Sequence, residues 1–293
     1  MSAPIVVGHD PHGADDAPLQ FGIAAARFTG ARLIVVVVQG DRHHDGDGAA
    51  LARAREQLDG AADVGSELRV VEHRDAAHGL TGVLEAIAAG LVVVGATSRG
   101  KVGRAVFGST AERVIHGAPC PVAVVPHGFA GGVPETVGVA YTASEEGEQA
   151  LRSGVVLAQA AGATLRVVAV LEEQAGTLGP NTLGARAMQA IPEELASQHH
   201  LAHRRAVDAA IAESGGALDS EIELVYGDPA EALLGFTGSL GLLVMGSRAH
   251  GPRSAVVLGG VSRRVTAAAQ CPVLVLPRGA AHPLRDLLAQ SAT

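Results

Sequence analysis

Two glycine-containing loops follow apolar segments of this chain, and each has a composition suited to binding phosphate groups. The first is LVVVGATSRGKVGRAVFGST, residues 91–110, and the second is LLVMGSRAHGPRSAVVLGGV, residues 242–261. In each loop a Gly ends the apolar run, and a second Gly precedes a small residue that opens a predicted helix. Unsatisfied N–H groups and the helix dipole favour an anion at such an N-terminus. The spacing therefore predicts a phosphate-binding loop in each half of the chain.

The first loop carries the more complete set of binding groups. Gly95 ends the apolar run, and its lack of a Cβ permits close approach of a ligand and an unusual φ. Gly108 and Ser109 precede Thr110 at the predicted helix N-terminus, where the Ser109 hydroxyl is suited to a phosphate oxygen. With Glu112, the same segment also matches a capping box, in which that hydroxyl accepts a backbone hydrogen bond. Both interpretations of Ser109 stay open on the sequence alone.

Alternating strands and helices must position these loops. The first half contains predicted strands at Ile5–Gly8, Leu33–Val38, Leu68–Val71, Leu91–Gly95 and Val122–Val125. The second half repeats them at Thr136–Tyr141, Leu165–Val170, Ile222–Tyr226, Leu242–Gly246 and Val273–Leu276. Predicted helices in the first half include Arg53–Leu58, Leu80–Ala89 and Thr110–His116. The continuous Val, Ile and Leu runs are typical of parallel strands that are buried on both faces.

This alternation predicts an α/β fold of two tandem doubly wound domains, each with a five-stranded parallel sheet in the order 3-2-1-4-5. We expect domains at residues 1–127 and 135–279, joined by a glycine-rich linker, and a C-terminal tail at residues 280–293. In such sheets ligands bind at the carboxyl ends of the strands, where the strand order reverses. Asp10 follows the first strand and Gly95 ends the fourth, so we expect both residues at that position.

Composition excludes several classes of partner. The formal net charge is −8, and the only aromatic residues are five Phe and two Tyr, so no surface for nucleic acid is expected. The apolar runs are far shorter than the ~20 residues of a membrane-spanning helix. The first residues, MSAPIVVGHD, lack the basic region and cleavage site of a secretion signal. We therefore expect a cytoplasmic protein with no nucleic-acid or membrane partner.

Cysteine and histidine positions offer two further kinds of chemistry, and we favour neither. Cys120 and Cys271 occupy equivalent places in the two halves, each before a Pro and an apolar strand. They match a disulfide or redox pair, but duplication of a small core residue explains them better in a cytosolic protein. His199, His200 and His203 have helical spacing without an evident Cys or carboxylate partner, so we predict no metal site.

Taken in order, these segments resemble the universal stress protein (UspA-like) family in its tandem form. The family has the motif G-x2-G-x9-G-[S/T] after the fourth strand, an Asp soon after the first, and a last strand of the type APCPVxVVP. The start IVVGHD is similar to the family's IVVGVD, and AERVIHGAPCPVAVVP and QCPVLVLP follow the two loops. The gapless match to the motif in the first half is Gly95, Ser98, Gly108 and Ser109. The resemblance covers nearly the whole chain twice.

The resemblance implies a Rossmann-like, adenine nucleotide alpha hydrolase-like fold that binds ATP, with or without Mg²⁺, or another adenine nucleotide. The implied site in the first half consists of Asp10, Val38, Gly95, Ser98, Gly108, Ser109 and Thr110. Asp10 would accept a hydrogen bond from ribose or adenine, and the Val38 backbone would contact adenine. Ser98 departs from the family, which prefers Gly at that position.

The second half matches the family less closely at its binding positions. The corresponding residues are Val170, Gly246, Ala249, Gly259 and Gly260. Thr142 replaces the Asp of the first half and cannot act as an ionised acceptor, while Ala249 and Gly260 replace Gly and Ser. We therefore expect a weaker second site. The resemblance also implies that the last strands pair, either between the two halves or between chains in a homodimer.

The function that the resemblance implies is that of a cytoplasmic stress-response sensor or regulator with ATP bound in its first half. The chain has no Walker GxxxxGK[ST] motif and no kinase-like catalytic set, so we expect at most slow, incidental ATP hydrolysis. The alternative is a dimeric interaction module of the same fold that does not bind nucleotide. Ser98 and the weaker second site favour that alternative. An adenylating enzyme would need a nucleophile or acceptor site, and none stands out.

Overall fold

One ten-stranded sheet runs through both halves of the protein. The structure is a computed structural model that describes residues 3–10, 15–40, 47–96, 109–171, 193–247 and 258–277, and Leu284. The strands are β1 (Ile5–His9), β2 (Leu33–Gln39), β3 (Ser66–Glu72), β4 (Leu91–Gly95), β5 (Val122–Val125), β6 (Thr136–Tyr141), β7 (Thr164–Leu171), β8 (Ser220–Tyr226), β9 (Leu242–Gly246) and β10 (Val273–Leu276). Their spatial order is β3-β2-β1-β4-β5-β10-β9-β6-β7-β8. Each half therefore has the predicted order 3-2-1-4-5, and the predicted α/β fold is confirmed.

Helices cover both faces of this sheet. They are α1 (Ala17–Thr29), α2 (Asp47–Asp59), α3 (Ala76–Ala86), α4 (Ser109–Gly117), α5 (Glu145–Ala161), α6 (Glu193–Ser214), α7 (Pro229–Phe236) and α8 (Gly260–Ala268). One core contains buried residues of α1, α2, α5 and α6, including Leu19, Leu58, Leu151 and Val207. The other contains buried residues of α3, α4, α7 and α8, including Leu84, Val114, Leu233 and Val265. Successive side chains of a strand point to opposite faces, which is why Ile5 and Val7 join the first core and Val6 the second.

The two halves meet at their last strands. The strand pairs within each half are parallel, whereas β5 and β10 are antiparallel, with Val124 opposite Val273. Beside this junction, Glu112 of α4 and Arg263 of α8 form an ion pair at 2.9 Å. These two residues occupy equivalent positions in the duplicated sequence. The junction thus joins matching elements of the two halves through residues of opposite charge.

Local signals determine where the third helix begins and ends. Asp75 caps α3 by accepting a hydrogen bond from the backbone N of His78 at 2.9 Å. At the other end, Ala88 adopts a positive φ of 48°, which a helix does not accommodate. The predicted helix Leu80–Ala89 is therefore placed too late in the chain, because the Asp cap starts the helix at Ala76.

The linker between the halves, residues 127–135, crosses back over α1. The ring of Phe129 packs edge-on against Phe21 of α1, with the ring centroids 6.0 Å apart. The linker glycines with positive φ are Gly128, Gly131 and Gly132. Other residues rarely adopt that conformation, so glycine is needed to turn the chain here.

Candidate functional site

The carboxyl ends of β1 and β4 lie side by side in the first half. β1 pairs with β2 on one side and with β4 on the other, where Val7 is opposite Val93. The strand order reverses between β1 and β4, because the chain places β2 and β3 on one side and β4 and β5 on the other. Asp10 directly follows β1, and Gly95 ends β4. Both are therefore at the edge where open α/β sheets bind ligands.

Close packing, not an unusual backbone angle, accounts for Gly95. Gly95 is absent from the described glycines with positive φ, so of the two properties of glycine it is the missing Cβ that matters here. A Cβ at Gly95 would lie 3.1 Å from Cγ of Pro18, in the first turn of α1. Because that distance is shorter than ordinary van der Waals contact, a side chain at residue 95 would require Pro18 to move away slightly. Gly95 thus lets the first turn of α1 approach the end of β4.

Val38 lies near the carboxyl end of β2 and packs beneath α3. It is half-buried on the face that α3 and α4 cover. A Cβ on Gly79 of α3 would lie only 2.8 Å from Val38 Cγ1. The Val38 side chain is therefore committed to packing, and only its backbone is left for the predicted contact with adenine.

The N-terminus of α4 is the part of the predicted phosphate loop that the structure describes. The helix begins at Ser109, and Thr110 in its first turn is exposed. Ser98 and Gly108 lie outside the described residues, so their assigned roles stay predictions. Glu112, the last residue of the predicted capping box, is paired with Arg263 across the junction.

An ion pair joins α4 to α3 near the phosphate end of the edge. Asp75 pairs through Oδ2 with the guanidinium of Arg113, one turn along α4 from Ser109. The hydrogen bond from the His78 backbone, together with Arg113, holds the pKa of Asp75 well below its usual range. The carboxylate is therefore charged over the whole physiological range of pH.

The second half repeats this support. Asp228 caps α7 by accepting from the backbone N of Glu231 at 2.9 Å, and it pairs with Arg264 of α8 at 2.8 Å. The sequence analysis singled out neither Arg113 nor Arg264. Their equivalent positions in the two halves, each followed directly by Val, were the available signal.

The carboxyl edge of the second half is filled by the first turn of α5. Gly246 ends β9, and a Cβ there would lie 2.9 Å from both Cβ and the carbonyl oxygen of Glu146. Ser144 caps α5, whose first turn carries Glu145, Glu146 and Glu148. Three glutamates in this first turn add negative charge to the edge, which is unfavourable for the binding of a phosphate. This arrangement favours the expectation of a weaker second site.

The remaining positions of the second site are spread along the same edge. Val170 is half-buried near the end of β7, and the Thr142 hydroxyl lies 3.0 Å from Ser144 Oγ. Gly259 is the N-cap of α8 without a side-chain cap, and a Cβ on Gly260 would meet open space. Ala249 lies outside the described residues. Gly259 and Gly260, the described residues at the start of α8, thus offer an anion only backbone groups.

Known proteins share this arrangement. The universal stress protein family matches residues 1–126 and 134–277, in two consecutive segments. The chain belongs to the universal stress protein family. A universal stress protein of Mycobacterium tuberculosis is 28% identical over 210 residues, which cover 70% of each chain. A solved universal stress protein from Archaeoglobus fulgidus DSM 4304 shares the fold at 16% identity, with a TM-score of 0.65 over 95% of this chain and 100% of that one.

Two other solved universal stress proteins are complexes with adenine nucleotides. One, with cAMP, is 23% identical and covers 50% of this chain and 100% of its own, with a TM-score of 0.37. The other, from Archaeoglobus fulgidus with dAMP, is 25% identical and covers 42% and 96%, with a TM-score of 0.35.

Two sets of buried polar groups, one in each half of this universal stress protein, were not singled out from the sequence. In the second half, the Tyr141 hydroxyl donates to Glu148 Oε1 at 2.6 Å. Burial, with Glu148 nearby, raises the pKa of Tyr141, so its hydroxyl stays protonated. In the first half, His9 and Asp16 occupy the equivalent positions, with the same separation of seven residues. That shared spacing was the signal that could have revealed both pairs.

Other candidate chemistry finds little support within the described part of the chain. No three or more His, Cys, Asp or Glu side chains are grouped there as metal ligands. Cys120 and Cys271 are both free and buried, and burial raises the pKa of each thiol to about 12. Both cysteines are therefore un-ionised and poorly reactive at neutral pH. Among the same residues, no helix has the length and apolar character needed to cross a membrane.

Proposed function

We propose that this universal stress protein binds one adenine nucleotide, ATP in the first instance, at the carboxyl edge of its first half, and acts as a cytoplasmic stress-response sensor or regulator. The observation that carries the proposal is the position of Asp10 and Gly95 at the switch point of strand order. Family membership adds support, because solved members have been obtained with adenine nucleotides.

The chemistry of the edge suits a nucleotide. Asp10 supplies an acceptor for a ribose or adenine donor, and the backbone N–H groups that begin α4 supply donors for phosphate oxygens. The Asp75–Arg113 pair holds that helix N-terminus in place. Any Mg²⁺ would bind mainly through the phosphate oxygens, as is usual for nucleotide-bound magnesium.

In this proposal the second half is mainly a structural partner. Its edge is occupied by the first turn of α5 and carries three glutamates there. Its last strand completes the sheet by pairing with β5. The proposal includes no efficient catalysis: ATP hydrolysis, if measured, would be slow and incidental.

A second function follows if the first half does not bind nucleotide. The chain would then act as an interaction module of the same fold. The filled edge of the second half favours this alternative, since the first turn of α5 occupies the place beside Gly246, and the antiparallel junction gives the fold a surface for pairing.

The deciding experiment identifies the nucleotide that the purified protein carries. Freshly purified protein is denatured, and the released nucleotide is identified by chromatography and mass spectrometry and counted per chain. About one adenine nucleotide per chain is expected. If none is released and added ATP, cAMP and AMP do not raise the melting temperature, the nucleotide-binding function is wrong and the interaction module replaces it.

A further inference from the structure

His9 is a buried histidine at the end of β1, directly beside the proposed ligand edge. Only 6% of its surface is exposed, and its Nε2 atom has no hydrogen-bond partner in the structure. It alternates with Ile5 and Val7 along the strand and so faces the layer of α1 and α2. A buried polar atom without a hydrogen-bond partner is unfavourable, so its presence calls for an explanation.

Asp16 is the second unusual group at this place. It stands at the N-cap position of α1, yet its side chain makes no capping hydrogen bond. Its neighbour Asp15 accepts from the Ala17 backbone N at 3.2 Å instead. Asp16 Oδ1 is buried and, like His9 Nε2, has no partner in the structure. An acceptor and a potential donor are thus buried at the same end of β1 without being joined.

The second half shows the joined form of the same pair. His9 and Asp16 align with Tyr141 and Glu148 in the duplicated sequence. The Tyr141 hydroxyl carries a permanent proton and donates it to Glu148 at 2.6 Å. An imidazole differs from a phenol because it gains and loses a proton near physiological pH. The first half has therefore replaced a permanent donor by one that depends on pH.

The charged groups around His9 come from three elements. Asp16 at the start of α1 and Asp10 after β1 favour the protonated ring, while Arg53 of α2 opposes it. Burial has the largest effect and lowers the pKa of His9 below its ordinary value. The ring is consequently neutral at pH 7, and a nearby negative charge would favour its protonation.

We propose that His9 and Asp16 form a proton-dependent pair that links proton uptake to anion binding at the edge of the first half. Protonation gives the ring a second N–H, and this charged donor can bond to the Asp16 carboxylate. It also adds one positive charge at the carboxyl edge of the first half, where the anionic nucleotide is proposed to bind, so the inference rests on the proposed function. By reciprocity, nucleotide binding and proton binding strengthen each other.

A packed contact connects the pair to the edge. Asp16 immediately precedes the first turn of α1, and Pro18 in that turn packs against Gly95 at the end of β4. A new bond between His9 and Asp16 would therefore act on the turn that borders Gly95. Acidification would therefore change the ligand edge in two ways: by the charge on His9 and by the position of the first turn of α1.

The test compares the wild type with a variant that carries the second half's pair in the first half. Binding of ATP is measured by calorimetry at pH 7.5 and pH 5.5 for the wild type and for His9→Tyr/Asp16→Glu. ATP titrates equally in both experiments, so its own protonation cancels. We expect the affinity of the wild type, relative to the variant, to rise by about threefold to tenfold at the lower pH, since one unit of pKa shift corresponds to tenfold.

The possible outcomes separate this inference from the proposed function. If neither protein binds ATP, cAMP or AMP at either pH, the proposed function fails and the linkage fails with it. If both bind and their affinities change equally with pH, only the linkage is wrong. His9→Asn serves as a second variant should the double substitution not fold, because it keeps a polar side chain without the titration. Proton uptake on binding, measured in buffers of different ionisation enthalpy, should be greater in the wild type than in His9→Asn, because the contribution of ATP itself is common to both.

Discussion

The first turn of α1 and the first turn of α5 take corresponding places in the two halves but carry different groups. In the first half, Pro18 packs on Gly95 and the turn contains no acidic residue. In the second half, the helix begins earlier, at Glu145, and Glu146 packs on Gly246. Both turns lie at the same edge of the sheet, but the residue that packs on the glycine at the end of the fourth strand is apolar in the first half and acidic in the second.

A duplicated fold can therefore keep the ion pairs between its helices while the residues at its ligand edge change. The pairs Asp75–Arg113 and Asp228–Arg264 fix the same helices in both halves. Strand order and core layers are also repeated. The two halves differ most at the carboxyl ends of the strands, where residues are constrained less by core packing and more by the chemistry of a ligand.

The largest expected effect tests whether only the first edge binds nucleotide. Gly108→Glu should reduce ATP affinity by about a hundredfold or more, because a negative charge would occupy the start of the phosphate-binding helix. The matched control is Gly259→Glu, at the equivalent N-cap of α8, which should leave affinity and stoichiometry unchanged. Calorimetric titration of both variants gives the comparison. Equal losses of affinity in the two variants would mean that both halves bind nucleotide.

A smaller effect tests the buried pairs. Tyr141→Phe should reduce the free energy of unfolding by about 1 kcal/mol or more, since it removes the donor to the half-buried carboxylate of Glu148. His9→Phe should cost less, because Nε2 of His9 has no hydrogen bond to lose. Urea unfolding at pH 7.5 measures both. A larger loss for His9→Phe would show that His9 already has a partner at this pH.

The smallest effect tests how the two halves are matched at their junction. Glu112→Arg and Arg263→Glu should each destabilise the protein slightly, and the double substitution should restore the wild-type value. Exposed ion pairs contribute about 0.2–1 kcal/mol, so we expect a coupling energy near the middle of that range. A double-mutant cycle in urea at low salt measures it. If the effects of the two substitutions are simply additive, the ion pair does not stabilise the junction.

Sequence patterns predicted the fold well because the strands are continuous apolar runs bounded by glycine or polar residues. β4, β5, β6, β9 and β10 have the predicted bounds. The pairing of short strands into one sheet depends on contacts between residues that are distant in the sequence. The duplication and the Val-rich runs nevertheless limited the possible strand orders. The third helix was misplaced because its start depends on the Asp75 side chain, a local contact stronger than the apolar pattern.

The candidate site was predicted less completely. The positions of Asp10 and Gly95 follow from strand order, which the pattern supplies. The reason for Gly95 does not, because it depends on how closely Pro18 of another element approaches. His9 and Asp16 read as ordinary residues of a strand end and a helix start. Their spacing matches that of Tyr141 and Glu148, but the burial that makes them notable cannot be seen in the sequence.

The linker that crosses α1 gives the junction a property that two separate chains would lack. Because β5 and β10 belong to one polypeptide, their pairing is an intramolecular event, and its extent does not depend on protein concentration. A cell that holds few copies of this chain has the same fraction of paired halves as a cell that holds many. The amount of protein with paired halves would therefore scale linearly with its abundance. For a dimer assembled from separate chains, the amount of paired protein would rise more steeply than the abundance.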